Sequence, residues 1–343
     1  MPDFPYINAR VRAMKSRLLD AGRIEELLAV PTLDVFIQAL NNTPYGHDLQ
    51  ASLTRYPALQ AVDIALARNF YSTTTKVLSF GDAKPRALIE VVLMRWDLIN
   101  LRLILRGKHS GVHRDDIVSN LIPAGSLGEA ALKELASQPD IPHVVGAFSG
   151  LDHPFAPAMA RGLKNYAARK DLFAMELDLE RAYAEHGLRV TSGSGASEQV
   201  VRALLQGGID AANVKTALKL QREGRLSRDE KARFFLPGGA IVTEDLFLHV
   251  ADRERAEQGL RGLRVHGFPV KSFPEDLTEF ERELDLTMTR AQTARYLGDP
   301  LSIDIVIGYL ALKYNEVKNL RLIARSKGLG IPRERVRREM VVV

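Results

Sequence analysis

Cysteine is absent from all 343 residues, which excludes a disulfide framework and any thiolate-bound metal. Long apolar runs are missing too. No stretch reaches the ~18 to 20 apolar residues needed to span a bilayer. The best candidate, Leu301 to Tyr314, is interrupted by Asp304 and Lys313. The first residues, MPDFPYINARVRAMKSRLL, contain no continuous apolar segment of the kind a secretory signal carries. Aromatic residues make up only 7% of the chain, and no RNP or KH signature is present, so the base-stacking modules of RNA readers are not legible. Alternating β-branched runs bounded by turns are nearly absent, which argues against a sheet.

The usual catalytic patterns are also missing. Ser192-Gly193-Ser194-Gly195 is rich in glycine but lacks the Lys-Ser/Thr that completes a phosphate-binding loop, so it reads as a flexible loop between helices. His109 and His113 have i,i+4 spacing, yet Gly107 and Gly111 interrupt the helix that would align them. No H-E-x-x-H pattern supports a metal there. No G-x-S-x-G elbow is found, although spacing alone leaves a Ser-His-Asp arrangement open. No cofactor is expected.

The chain does hold an ordinary globular composition, 46% apolar and 26% charged, with length for two or three domains. Its net charge of +5 is unevenly spread. Residues 1–23 carry net +3 and residues 313–343 net +6, which leaves the body between them at −4. Basic ends on an acidic body suit an acidic protein surface, lipid headgroups or nucleic acid, or else ordinary solvated helix surface. Arg10, Arg12, Lys15 and Arg17 are candidate interface cations at one end.

Helical periodicity dominates, and it repeats. The segments WDLINLRLILRGK (96–108), IDAANVKTALKLQ (209–221) and NEVKNLRLIARSK (315–327) each carry an acid, an Asn three residues later, and cations two and six residues beyond that Asn. The sets are Asp97, Asn100, Arg102 and Arg106; Asp210, Asn213, Lys215 and Lys219; Glu316, Asn319, Arg321 and Arg325. Three further elements keep a similar period. They are Val62-Asp63-Ile64 with Leu177-Asp178-Leu179 and Leu284-Asp285-Leu286; Leu28-Ala29 with Leu135-Ala136 and Val250-Ala251; and Ile122-Pro123-Ala124-Gly125 with Leu236-Pro237-Gly238-Gly239. Together they predict three homologous helical units, 1–125, 126–241 and 242–343, with an extra helix near 7–20 at the start.

On a helical wheel the acid and the Asn fall inside the apolar face and the cations point away from it. Buried polar groups need partners or cost ~1 to 3 kcal/mol each. Asp97, Asn100, Asp210, Asn213, Glu316 and Asn319 are therefore expected to fix register within or between units. Arg102, Arg106, Lys215, Lys219, Arg321 and Arg325 are left as candidate subunit contacts. The last long helix is expected to start with Asp299 as cap and Pro300 at its first position, and to stop at Gly328 and Gly330.

The strings YINARVRAMKSRLL (6–19), WDLINLRLILRG (96–107) and SIDIVIGYLALKYNEVKNLRLIARSKGLGIP (302–332) closely resemble the C/d-subunit family of V/A-type rotary ATPases. The second repeat departs most, with Val214-Lys215-Thr216 where the others have Leu-Arg-Leu. The resemblance implies an all-α chain whose three units form a funnel-shaped socket about a pseudo-threefold axis. It implies a peripheral position on the cytoplasmic face of the membrane. Its partners would be the rotor shaft subunits and the proteolipid subunits of the membrane rotor ring. It further implies torque transmission for ATP synthesis or proton pumping, with no bond chemistry of its own. The alternative kept beside it is a free-standing helical-repeat scaffold for nucleic acid, which the basic ends permit.

Overall fold

Capping chemistry punctuates the chain from its start. Asp3, Asp20, Thr32, Asp140, Asp171 and Thr243 each turn a side-chain oxygen onto a backbone N–H in the first turn of the helix that follows, and Ser227 with Glu230 forms a complete capping box. The result, in a computed structural model describing residues 3–222, 226–265, 268–270 and 276–342, is an all-α fold. The described strands are the two-residue pair Arg264–Val265 and Phe268–Pro269.

The chain divides into two compact units. The first joins residues 1–151 to 292–343. It holds α1 (Phe4–Lys15), α2 (Ala21–Ala29), α3 (Leu33–Asn41), α4 (Gly46–Leu53), α5 (Ala58–Leu78), α6 (Ala83–His109), α7 (Arg114–Asn120), α8 (Glu129–Ser137) and α9 (Ile141–Ser149). The second, residues 152–291, holds α10 (Ala156–Arg169), α11 (Leu172–Val190), α12 (Ala196–Arg222), α13 (Arg228–Ala232), α14 (Glu244–Val250), α15 (Ala256–Leu260) and most of α16 (Leu277–Ala294). The chain returns to the first unit through a 3-10 turn, Arg295–Leu297, then α17 (Asp304–Leu329) and α18 (Arg333–Glu339).

In the first unit α17 is the axis. Its 26 residues make a rod of roughly 40 Å, and α1, α2, α3, α5 and α18 all pack on it. Phe70 of α5, Trp96 of α6 and Tyr314 of α17 form an aromatic triangle with centroid separations of 5.3, 4.2 and 5.7 Å. In the second unit α12 plays the same part, packing Val214 and Leu218 against Phe247, Val250, Leu260 and Leu284. Each such side chain contributes ~1.5 to 3 kcal/mol when fully buried.

Two helix boundaries differ from the sequence reading. The last long helix starts at Asp304, not at Pro300. Asp299 does accept a local N–H, from Leu301 at 2.8 Å, but the chain makes a turn there. The helix begins after Ile303 with no side-chain cap, and the Ser302 hydroxyl accepts the Asp304 N–H beside it. Close packing holds this entry in place: a Cβ on Gly308 would collide with the backbone of Tyr296. The expected stop holds, with Gly330 in the left-handed region at φ 66°. The first helix ends at Lys15, not near residue 20, because the residues beyond it turn to present Leu19 and Asp20 to other partners.

Candidate functional site

The repeated acid and Asn are buried, and each set takes hold of a backbone segment. On α6, Asp97 and Asn100 are fully buried. The Asn100 amide donates to the Ile122 carbonyl at 2.6 Å and accepts from the Ile122 N–H at 2.8 Å, like one rung of a β-ladder. One turn earlier, the Asp97 carboxylate accepts the Ser126 N–H and hydroxyl and the Leu127 N–H, all at 2.9 Å. Gly125 lies so close that a Cβ would strike the carboxylate. Glycine is therefore the residue that lets the loop reach the acid.

The set on α12 repeats this geometry. Asn213 donates to the Leu236 carbonyl at 2.8 Å and accepts its N–H at 2.9 Å. Asp210 accepts the N–H groups of Ala240, Ile241 and Val242 at 3.0, 3.1 and 2.8 Å. Gly239 stands where Gly125 does, hard against the carboxylate. The Ile-Pro-Ala-Gly and Leu-Pro-Gly-Gly strings, read in the sequence only as a periodic element, are the segments the acid and Asn hold.

On α17 the acid is Glu316, and what it holds lies far back in the chain. Its Oε2 accepts the Leu19 N–H, while Oε1 accepts the Tyr45 hydroxyl and the Lys313 ammonium, the latter at 2.9 Å. Lys313 also donates to the Tyr45 oxygen at 2.8 Å and lies 4.2 Å from the centre of that ring. Burial pushes the Lys313 pKa down against the pull of Glu316. Burial, and then Glu316, push the Tyr45 phenol well up. Asn319 and Asn315 both donate to the Val341 carbonyl, at 2.8 and 2.6 Å. Leu19, Leu127 and Val242 each lie two residues before a short helix, α2, α8 and α14 respectively. The three acids thus grip the same kind of point, the backbone at the approach to a helix.

Arg321, Arg325, Lys215 and Lys219 pair with carboxylates of their own unit. Arg321 Nε is 3.4 Å from Asp63 Oδ1, and Arg325 reaches Asp63 at 3.1 Å and Asn120 at 2.9 Å. Lys215 pairs with Asp285 at 2.5 Å and Lys219 with Glu281 at 2.6 Å. Asp63 and Asp285 are the acids of the apolar-Asp-apolar element, so two repeated elements are again partners. The wheel placed these cations away from the apolar face. Arg321 is instead largely covered, since α5 packs along that side of α17, and desolvation pushes its pKa down against Asp63. Arg102 is half-buried and Arg106 exposed, and both are engaged. Arg10, Arg12, Lys15 and Arg17 are exposed. Arg10 lies 4.6 Å over the Phe80 ring, and Lys15 5.3 Å over Tyr296.

Sequence reasoning gives no site role to Lys313, Asn315, Tyr45 or Leu19. Lys313 is the one signal available there, a cation inside an apolar run on the Glu316 side of the helix. The Ser192–Gly195 segment does join two helices, α11 and α12, and Arg202 donates to its Gly193 carbonyl at 2.6 Å and to that of Thr191 just before it. His113 accepts from the Asp115 N–H at the start of α7, and His109 ends α6. Among the described residues no cluster of three or more His, Asp or Glu is placed to hold a metal. No described helix is long and apolar enough to cross a membrane.

Asp97, Asn100, Asp210 and Asn213 hold loop backbone, and Glu316 holds backbone together with a phenol and an ammonium. Comparison with known proteins gives that architecture a family. Similarity to the C subunit of the V-type ATP synthase of Deinococcus radiodurans runs over 99% of this chain and 92% of that protein, at 29% identity. The C subunit of the V-type ATP synthase of Thermus thermophilus is also 29% identical, over 99% and 98% of the two chains. The C subunit of the A-type ATP synthase of Methanococcoides burtonii is 27% identical, over 99% and 94%. The family model for the ATP synthase (C/AC39) subunit matches residues 7–339, and the chain belongs to that family.

Proposed function

We propose that this chain is a non-catalytic coupling subunit in the central stalk of a rotary V/A-type ATPase or ATP synthase. It receives the end of the rotor shaft, seats on the membrane rotor ring and passes torque between them. It works as a peripheral protein on the cytoplasmic face, in ATP synthesis or proton pumping. Its three helical units, 1–125, 126–241 and 242–343, stand about a pseudo-threefold axis as a funnel-shaped socket. Family membership over nearly the whole chain is what carries this reading. The clamps support it physically. A link that carries torque must not yield, and buried charge-assisted hydrogen bonds to backbone resist displacement because each freed group would be left unsatisfied. The relatives give the nucleic-acid scaffold no support.

The test compares ATP hydrolysis with ATP-driven proton pumping in membranes lacking this chain. Removing one rigid link leaves both chemistries intact but disconnected. Pumping is expected to be lost while the catalytic head still hydrolyses ATP. Coupled pumping at the normal level without the chain would contradict the reading.

A further inference from the structure

Two of the three most exposed large apolar side chains among the described residues lie on one short turn of the first unit. Leu297 is 88% exposed and Leu301 68%, on either side of Gly298-Asp299-Pro300. α1 rests directly on this turn, since the Asn8 amide donates to the carbonyls of Pro300 and Ser302, each at 2.8 Å. Along α1 and just past it stand Arg10, Arg12, Lys15 and Arg17, all exposed, with no acid between Asp3 and Asp20. None of the four is paired with a carboxylate among the described residues. Lys15 lies over the ring of Tyr296, the residue before Leu297, and Arg12 is close enough to act on the same phenol, whereas Arg10 lies over Phe80 on another side of α1. The one acid on the turn, Asp299, folds its carboxylate back onto the Leu301 N–H at 2.8 Å.

Uncovered leucines beside unpaired cations match the two layers of an anionic bilayer surface. Apolar tips enter the headgroup–acyl boundary, and Lys and Arg remain level with the phosphates. A tip whose side chains stand almost wholly free suits a fluid boundary that yields around them. We propose that the surface formed by Leu297, Leu301, Arg12 and Lys15 docks on anionic phospholipid. The inference deepens the coupling role above and rests on it for the membrane's presence, but the contact itself is a property of this chain alone.

Vesicle flotation of the isolated full chain tests it, with phosphatidylcholine alone and with phosphatidylcholine mixed with phosphatidylglycerol. Binding is expected only to the mixed vesicles, and to weaken as salt rises. Replacing Arg12→Gln and Lys15→Gln together should lower partitioning roughly thirtyfold. Leu297→Ser with Leu301→Ser should remove the part of the binding that survives salt. Arg335→Gln, an exposed cation on α18, should change little. All are exposed positions, so folding is not at stake. Equal binding to both vesicle types, or an equal loss with Arg335→Gln, overturns the proposal. So does a chain that ignores both vesicles yet binds protein-containing membranes, because its partner is then a protein surface. That last result would leave the coupling role standing. Conversely, vesicle binding with undiminished pumping in membranes lacking the chain would overturn the coupling role alone.

Discussion

On α6 and α12 the Asn and the acid both hold a downstream loop, 22 to 32 residues away, whereas on α17 the Asn holds Val341, 22 residues on, and the acid holds the beginning of the chain, 297 residues back. The chemistry differs accordingly. Asp97 and Asp210 each accept N–H groups of one loop, with the Ser126 hydroxyl added at Asp97. Glu316 has the longer side chain and three partners from three places: Leu19, Tyr45 and Lys313. The corresponding position three residues before the acid is Met94 in the first set and Gly207 in the second, so the buried cation belongs to the third alone. Local loops can be held by dipoles. Where the two ends of the first unit meet, one point fixes a helix approach, a phenol and an ammonium together.

This difference ranks the substitutions. Glu316→Leu should be the most damaging, at about 3–5 kcal/mol, because it leaves Lys313 as an uncompensated buried charge. Adding Lys313→Met should restore much of the loss, since an apolar pair can replace a buried ion pair at little cost. Denaturant midpoints of the single and double variants measure both effects, and a double variant no better than the single would show that the charge is not the issue. Asn100→Leu comes next, freeing both the N–H and the carbonyl of Ile122, at ~1 to 3 kcal/mol for each buried group left unsatisfied. Asn319→Leu should cost less than Asn100→Leu, because Asn315 still donates to Val341. Equal midpoint shifts for the two would show that Asn315 does not back up Asn319 at Val341. Arg325→Ala should be the mildest, below ~1 kcal/mol, as its pair with Asp63 is nearly half exposed on the arginine side. A melting temperature lowered as far as by Asn319→Leu would mean that the cations, not the amides, hold the register.

Much of this is legible in the sequence, in a particular way. Periodicity marks the acid and the Asn as buried, and each is. The same period marks Ile122–Gly125, Leu236–Gly239 and the apolar-Asp-apolar triplets, but spacing alone does not say that these are the partners. A wheel knows one face of one helix. It cannot foresee α5 lying against the Arg321 side of α17, nor Leu19 and Tyr45 meeting Glu316 from 297 and 271 residues away. Asp299-Pro300 carries the capping signature of a helix start, yet the chain turns there and, with Tyr296 packed on Gly308, the helix starts four residues later.

If all three acids do one job, the backbone amide of Leu19 should be as well protected as those of Leu127 and Val242, although no loop of its own clamp joins it to α17. Residue-resolved hydrogen exchange on the full chain measures this directly. The account predicts slow exchange at all three amides in the unsubstituted protein. In Glu316→Leu it predicts rapid exchange at Leu19, with Leu127 and Val242 still slow. Rapid exchange at Leu19 in the unsubstituted chain, at the rate of an open turn, would contradict it.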